Sequence, residues 1–381
     1  MLDIIALSIL VLTIFFCLRA IHYITSWERL TINEVLIKEA PLVSVLVPAR
    51  NEEKAIGECL DSLLKQTYPN LEVIVIDDQS SDHTFEIVQE FTKKDARIKL
   101  IQSRPLPAGW KGKCWALYQG GQLAKGDWFL FSDADVIHNP LTVNSVYQYA
   151  VRNAVDFLTL KYTLLIKGFW EKVIPPSINF VKAWFYPSPK KVNNINTSAI
   201  EAKGDFIFVK RSIYEKLDGH QAVKKEFIES AALMGNFKKA GYKVALLDGS
   251  RMLKVRKFHN LKEIVASYSK LFYKFFQLKN NRYFFLLISL IILVVLSPIG
   301  ILIFLLVFKF WQIRLSLILW PGLQTFIIFL AAMTYYKKDN FNPWYALGLP
   351  LGALIFIGIG GKALFELTIK KNPSWRGRIY S

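Results

Sequence analysis

The chain has 381 residues, 52% of them hydrophobic and 14% aromatic, with a formal net charge of +18. So apolar a composition at this length excludes an ordinary water-soluble protein and points to a membrane. The three cysteines, Cys17, Cys59 and Cys114, have no metal or disulfide spacing, which excludes a disulfide scaffold or a zinc module and reads as reduced, structural thiols.

Residues 3–24 (DIIALSILVLTIFFCLRAIHYI) form one apolar run of spanning length without a small-x-small cleavage site, which predicts an uncleaved anchor over 1–25. Arg19, near its C-terminal end, and Arg29 and Lys38 beyond it are basic, whereas Asp3 stands at its start, so the main domain is expected in the cytoplasm and the N-terminus outside. Val43 to Pro48 is a β-branched run ended by proline, a predicted strand. Ile56, Leu60, Leu63 and Leu64 recur at helical spacing within 53–66. Leu71 to Ile76 is a second strand, ending in Asp77-Asp78, and Ser81-Asp82 opens a helix over 83–94. Ile98 to Ile101 is a third strand, and a helix over 114–124 precedes the strand Phe129 to Phe131. This alternation predicts an α/β domain over 40–255, a mostly parallel sheet with helices on both faces. Such sheets bind ligands outside the carboxyl ends of their strands. Three ends here are polar: Arg50-Asn51-Glu52, Asp77-Asp78 and Asp133-Ala134-Asp135.

Segment 251–282 carries nine basic residues against one acid, Glu263, with aromatics interleaved. Basic plus aromatic suits nucleic acid or anionic lipid. The neighbouring apolar run favours an interfacial helix over 256–282 on the bilayer, with no nucleic-acid partner. Runs at about 283–307, 315–336 and 345–369 predict about three more transmembrane helices within 283–369, before a basic tail at 370–381. Gly348, Pro350, Gly352, Gly358, Gly360, Gly361 and Lys362 make the last run a candidate broken or re-entrant segment. Three crossings put the tail outside, whereas Lys370, Lys371, Arg376 and Arg378 argue for inside. The expectation is a multi-pass protein of the cell membrane.

Asp133 and Asp135 stand one residue apart at a strand end, so both can share one side once the chain leaves the sheet. Hard oxygen ligands so placed suit Mg²⁺ or Mn²⁺ bridged to a diphosphate. Alone the pair is weak, because Asp is common in turns; its place beside two other polar strand ends gives it weight. Neither G-x-G-x-x-G nor G-x-x-x-x-G-K-[ST] occurs, which disfavours dinucleotide oxidoreductases and P-loop NTPases.

From Val43 to about Arg256 the chain resembles an inverting family 2 glycosyltransferase of the GT-A fold. The motifs are PARNEE (Pro48 to Glu53), VIDDQSSDHT (Val75 to Thr84), GWKGKCWALYQGG (Gly109 to Gly121), SDADV, GDFIFVKRSIYEKLDGH (Gly204 to His220) and KEFIES (Lys225 to Ser230). Within the family the chain is similar to membrane glucosyltransferases of the hydroxychlorobactene and diaponeurosporenoate type. Trp375, Arg376 and Arg378 match the W-[KR]-G-R-x-Y ending of that branch, and ceramide glucosyltransferases share the one-plus-three membrane layout. The resemblance implies a UDP-sugar donor, Mg²⁺ or Mn²⁺, and a lipid-like acceptor. Pro48, Arg50, Glu52, Asp77 and Asp78 would face the nucleoside, Lys111 and Lys113 the diphosphate, and Asp133 with Asp135 the nucleotide and metal. A polyprenyl phosphate acceptor is the first rival, and a non-catalytic scaffold binding nucleotide-sugar or lipid the second. Q-x-x-R-W of processive synthases is absent, since no Arg-Trp pair exists, so single-sugar transfer is expected.

The chain breaks the family pattern at Glu229-Ser230, where many relatives carry Glu-Asp, the Asp serving as general base. Serine cannot do this at neutral pH. Three readings remain: Glu229 or its neighbour Glu226 supplies the base; the acceptor arrives ionised and needs little base; or catalysis is impaired. His220 could touch metal or phosphate, or be a hydrogen-bonded loop histidine. His22, His83, His138 and His259 show no ligand spacing. Segment 169–189, with Trp170, Trp184 and Phe185, reads either as core or as an interfacial lid admitting a lipid acceptor.

Overall fold

The computed structural model describes the chain except residues 1, 36, 38, 227, 259, 278–280, 308–315, 368–373, 376–377 and 380–381. In chain order it runs α1 (Leu2–Thr25), β1 (Val43–Ala49), α2 (Ile56–Leu64), β2 (Leu71–Asp77), α3 (Thr84–Lys94), β3 (Ile98–Gln102), α4 (Gly112–Leu123) and β4 (Trp128–Ser132). Then come β5 (Val136–His138), α5 (Thr142–Arg152), β6 (Phe157–Lys161), β7 (Thr163–Leu164), α6 (Phe169–Lys182), α7 (Pro189–Asn193), β8 (Phe206–Lys210), α8 (Arg211–Lys216) and α9 (Gly219–Ala222). The remainder is α10 (Glu229–Lys239), β9 (Val244–Asp248), β10 (Leu253–Val255), α11 (Leu261–Gln277), α12 (Asn281–Ile291), α13 (Ser297–Val307), α14 (Ser316–Lys338), α15 (Leu349–Phe365), β11 (Ser374–Trp375) and β12 (Arg378–Ile379).

Two units form. Residues 27–165 and 187–257 build the α/β unit. Its seven-stranded sheet has the order β3-β2-β1-β4-β8-β6-β9. β1 pairs in parallel with β2 and β4, β2 with β3, and β6 with β9. β8 alone runs antiparallel, to β4 and to β6. Alternate side chains of the central strands feed two cores, one on each face. On one face Val43, Val45, Val47, Val73, Val75 and Leu130 meet α2, α3 and α5 through Leu60, Val88 and Val146. On the other, Leu46, Ile74, Ile76, Phe129 and Phe131 meet α4, α8 and α10 through Leu117, Ile213 and Phe237. Pro48 sits in β1 beyond its last pair with β4, Leu46 with Phe131, so its missing N–H breaks no bond to that neighbour. β5, β10 and β7 make a small second sheet.

Residues 1–26, 166–186 and 258–381 form the other unit. It holds four helical stretches long and apolar enough to cross a membrane among the described residues: Asp3–Thr25, Phe284–Ile303, Ile318–Lys338 and Pro343–Phe365. A π-helical turn at Ile292–Leu296 interrupts the second. The buried Gln324 amide donates to Thr13 Oγ1 and to the carbonyls of Leu293 and Val294, so the polar groups at that turn are answered from inside the unit.

One boundary differs from the sequence reading, which ran the α/β domain unbroken over 40–255. Ile166–Tyr186 belongs with the apolar helices. α6 packs so closely on α15 that a Cβ at Gly352 would lie 2.5 Å from Ser177 Cβ and 2.8 Å from the Val173 carbonyl oxygen. The expected helix at 256–282 is α11 with the start of α12. The side chains at 270, 271 and 273–283, which carried the lipid expectation, lie outside the described residues.

Candidate active site

The loops after β1 and β2 clamp one another. Asp78 N–H donates to the Ala49 carbonyl at 2.7 Å, and Arg50 Nη1 donates to the Asp78 carbonyl at 2.5 Å. Glu52 N–H donates to Thr84 Oγ1 and Glu53 N–H to Asp82. Asn51 and Gln79 hold φ of 54° and 58°, left-handed conformations that non-glycine residues adopt at a cost and that cluster at ligand sites. Asp77 and Asp78 are buried. Asp77 Oδ2 accepts from Ser80 N–H, while its buried Oδ1 has no hydrogen-bond partner among the described residues. A buried acceptor left over at a strand end is a place for a ligand donor.

Strand register assembles the acids. β4 and β8 pair Ser132 with Phe206, so the next pair out is Asp133 with Asp205, joined by Asp133 N–H to the Asp205 carbonyl at 3.1 Å. β5 and β10 pair Val136 with Val255, which sets Arg256 and Lys257 against the Asp133-Ala134-Asp135 turn. One carboxylate oxygen from each of Asp133, Asp135 and Asp205 lies within 4.8 Å of the others. Asp135 Oδ1 is buried without a hydrogen-bond partner among the described residues. Three hard oxygen donors, one of them unmet, fit a Mg²⁺ or Mn²⁺ ion.

Two ammonium groups enter this cluster. Lys113, in the first turn of α4, places Nζ 2.6 Å from Asp133 Oδ1 and 3.2 Å from Glu229 Oε1, and donates to the Gly204 carbonyl. Lys257 Nζ is 2.8 Å from Asp205 Oδ1. Burial, reinforced by the Asp133 charge, pushes the Asp135 carboxyl up to about 8. Burial also raises Asp133, the Lys113 ammonium offsetting it only in part. For Asp205 the balance reverses: burial would raise it, but Lys257 outweighs burial and holds it below the ordinary carboxylate value. Glu229 behaves likewise under Lys113. Both lysines are disfavoured by burial yet held above the ordinary lysine value by their carboxylates.

Glu229 is the first residue of α10, and its carboxylate is turned to Lys113. Ser230 is buried, its Oγ 3.3 Å from where a Gly204 Cβ would stand. Glu226 is exposed. Lys111 caps α4 from outside, and its N–H donates to the Lys224 carbonyl at 2.8 Å, tying the basic loop to the segment that delivers Glu229.

His220 is buried, its Nδ1 2.8 Å from the Tyr214 hydroxyl and its ring edge-on to Phe131. Burial lowers its pKa to about 4. Nδ1 thus has the hydrogen-bond partner of one reading, while Nε2 has none among the described residues. Trp184 is 2% exposed and packs on Phe16 and Phe180, a core position, whereas Trp170 and Phe185 are exposed. Arg376 lies outside the described residues, as do the side chains of Trp375 and Arg378. Sequence reasoning missed Asp205 and Lys257. Asp205 follows Gly204 inside a quoted motif, and Lys257 was absorbed into the lipid-facing basic segment.

A sequence model described as Glycosyl transferase family 2 matches residues 44–218. The probable glycosyltransferase YdaM of Bacillus subtilis (strain 168) is 42% identical over 116 residues, 30% of this chain and 27% of that protein. The 4,4'-diaponeurosporenoate glycosyltransferase of Staphylococcus haemolyticus is 26% identical over 238 residues, 60% of each chain. The UDP-Glc:alpha-D-GlcNAc-diphosphoundecaprenol beta-1,3-glucosyltransferase WfgD of Escherichia coli is 34% identical over 124 residues, 32% of this chain and 47% of that protein. The matches thus span 27%, 60% and 47% of these relatives. Among solved structures, the mannosyltransferase PcManGT from Pyrobaculum calidifontis, in complex with GDP-Man and Mn²⁺, superposes with a TM-score of 0.50 at 15% identity, covering 97% of this chain and 100% of that one. At that identity the likeness shows the fold, a GT-A-like α/β architecture.

Proposed function

We propose, from the match of residues 44–218 to the Glycosyl transferase family 2 model, that the chain moves one hexose, glucose foremost, from a UDP-sugar to a lipid-like acceptor at a membrane, with inversion and with Mg²⁺ or Mn²⁺. The observation that carries this is Lys113. One ammonium bridges Asp133, on the donor side, and Glu229, on the acceptor side.

On this reading Arg50 holds the loop that presents Asp77 and Asp78 to the nucleoside, and the unmet Asp77 oxygen accepts a base N–H. Asp133, Asp135 and Asp205 would hold the cation, which when bound would supply countercharge to the departing diphosphate. Lys113 orients the diphosphate and limits charge build-up on it. Glu229 takes the proton of the acceptor hydroxyl as that oxygen bonds to the anomeric carbon and the bond to the diphosphate breaks. An acceptor carboxylate needs no such proton transfer. The exposed rings of Trp170 and Phe185, in the unit with the four apolar helices, suit a bilayer interface. The diaponeurosporenoate relative favours a lipid carboxylate, and the diphosphoundecaprenol relative a polyprenyl-linked acceptor. A membrane of this chain supplied with UDP-glucose and lipid extract should release UDP only with Mg²⁺ or Mn²⁺. A phosphodiester-linked product would be acid-labile and ionic, a glycosyl ester or a glycoside neutral. No UDP release with any lipid would leave the scaffold reading standing.

A further inference from the structure

The site carries a second lysine that neither the motifs nor the donor chemistry called for. Asp133, Asp135, Asp205 and Glu229 face Lys113 and Lys257, four carboxylates to two ammonium groups. Lys113 reaches across to the base. Lys257 ties up Asp205, one of the three candidate cation ligands, at 2.8 Å, as Lys113 does Asp133 at 2.6 Å. It also lies near the Tyr162 hydroxyl at 3.4 Å and the charges of Asp135 and Asp133. The place is fixed by backbone register, because Val255 pairs with Val136 and Arg256 N–H reaches the Asp135 carbonyl. A dication and an ammonium drawn to the same carboxylate repel each other at this range.

We propose that Lys257 is a built-in competitor of the divalent cation. Without donor it occupies Asp205 and keeps the cation weakly bound. When cation and sugar diphosphate arrive together, it gives up Asp205 and turns to the added negative charge of the diphosphate, so the cation is retained only with donor. This rests on the metal-dependent transferase reading.

Mn²⁺ alone, read as free-ion EPR signal, is titrated into the full chain in detergent, without nucleotide. Lys257→Met should bind Mn²⁺ roughly tenfold tighter than wild type, while Lys257→Arg, which keeps the charge, stays near wild type. In saturating Mn²⁺ the Met variant should bind UDP-glucose more weakly. Lys257→Gln, which keeps a polar end for Tyr162, repeats the comparison should the Met variant fail to fold. Unchanged or weaker nucleotide-free Mn²⁺ binding in both neutral variants would overturn the role of Lys257, even with transfer intact in wild type. If wild type bound no UDP-glucose with Mn²⁺ present, the transferase reading itself would fall, and the competitor role with it.

Discussion

Replacing Glu229 by Gln removes the one carboxylate of the acceptor-side segment that is turned to Lys113, and little else. Gln has nearly the same shape, and Lys113 keeps its closer partner, Asp133, at 2.6 Å against 3.2 Å for Glu229. The fold and the donor side should therefore survive. A general base contributes about 10²–10⁴ in rate, or roughly 3–5 kcal/mol of barrier. Glu229→Gln should lower kcat by that factor on an alcohol acceptor, leave UDP-glucose affinity within about threefold, and cost little on the matching carboxylic acid, whose nucleophile is already ionised. Turnover on paired polyene alcohol and acid acceptors is the assay. Ser230→Asp in the same background should restore little, because Ser230 is buried against Gly204. Full activity of Glu229→Gln on the alcohol would refute the base assignment.

Three further outcomes are expected. With Asp135 held up to about 8 by burial and Asp133, cation binding near pH 7 should release about one proton and tighten as pH rises toward 8; calorimetry in buffers of different ionisation heat reads this, and zero release would contradict the cluster. A Cβ at position 126 would lie 2.6 Å from Ser44 N and 2.7 Å from the Leu42 carbonyl oxygen, so Gly126→Ala should cost about 1–3 kcal/mol, seen as a lower melting temperature. Burial holds His138 and His220 to about 3 and about 4, below the unfolded value of about 6.5. Their contribution is fully present above pH ~6.5 and is lost as pH falls toward those folded values. His220→Gln should lose less stability than wild type between pH 7 and pH 5; equal losses would contradict a neutral buried imidazole.

The first half of the sheet was legible because local signals suffice there. Val43–Ala49, Leu71–Asp77 and Trp128–Ser132 are apolar runs, and the helices between them carry apolar residues at helical spacing. Their polar ends also marked the edge proposed for the nucleotide. The second half depends on pairing between distant segments. β8 reads as one more apolar run, and nothing local tells that it lies antiparallel beside β4 and so sets Asp205 opposite Asp133. Lys257 was hidden by composition: it sits in a basic stretch, and only the pairing of β10 with β5 turns it to the acids. α6 was split from the α/β unit for a similar reason, since its contact with α15 joins segments far apart in sequence.

Transfer itself is tested most directly with radiolabelled UDP-glucose, membranes of this chain, Mn²⁺ and a lipid extract. Wild type should move label into the organic phase, and chelation of the metal, Asp135→Asn or Glu229→Gln on an alcohol acceptor should abolish or sharply reduce it. No organic-soluble label from any extract, or label that survives both chelation and Asp135→Asn, would contradict metal-dependent hexose transfer at this site.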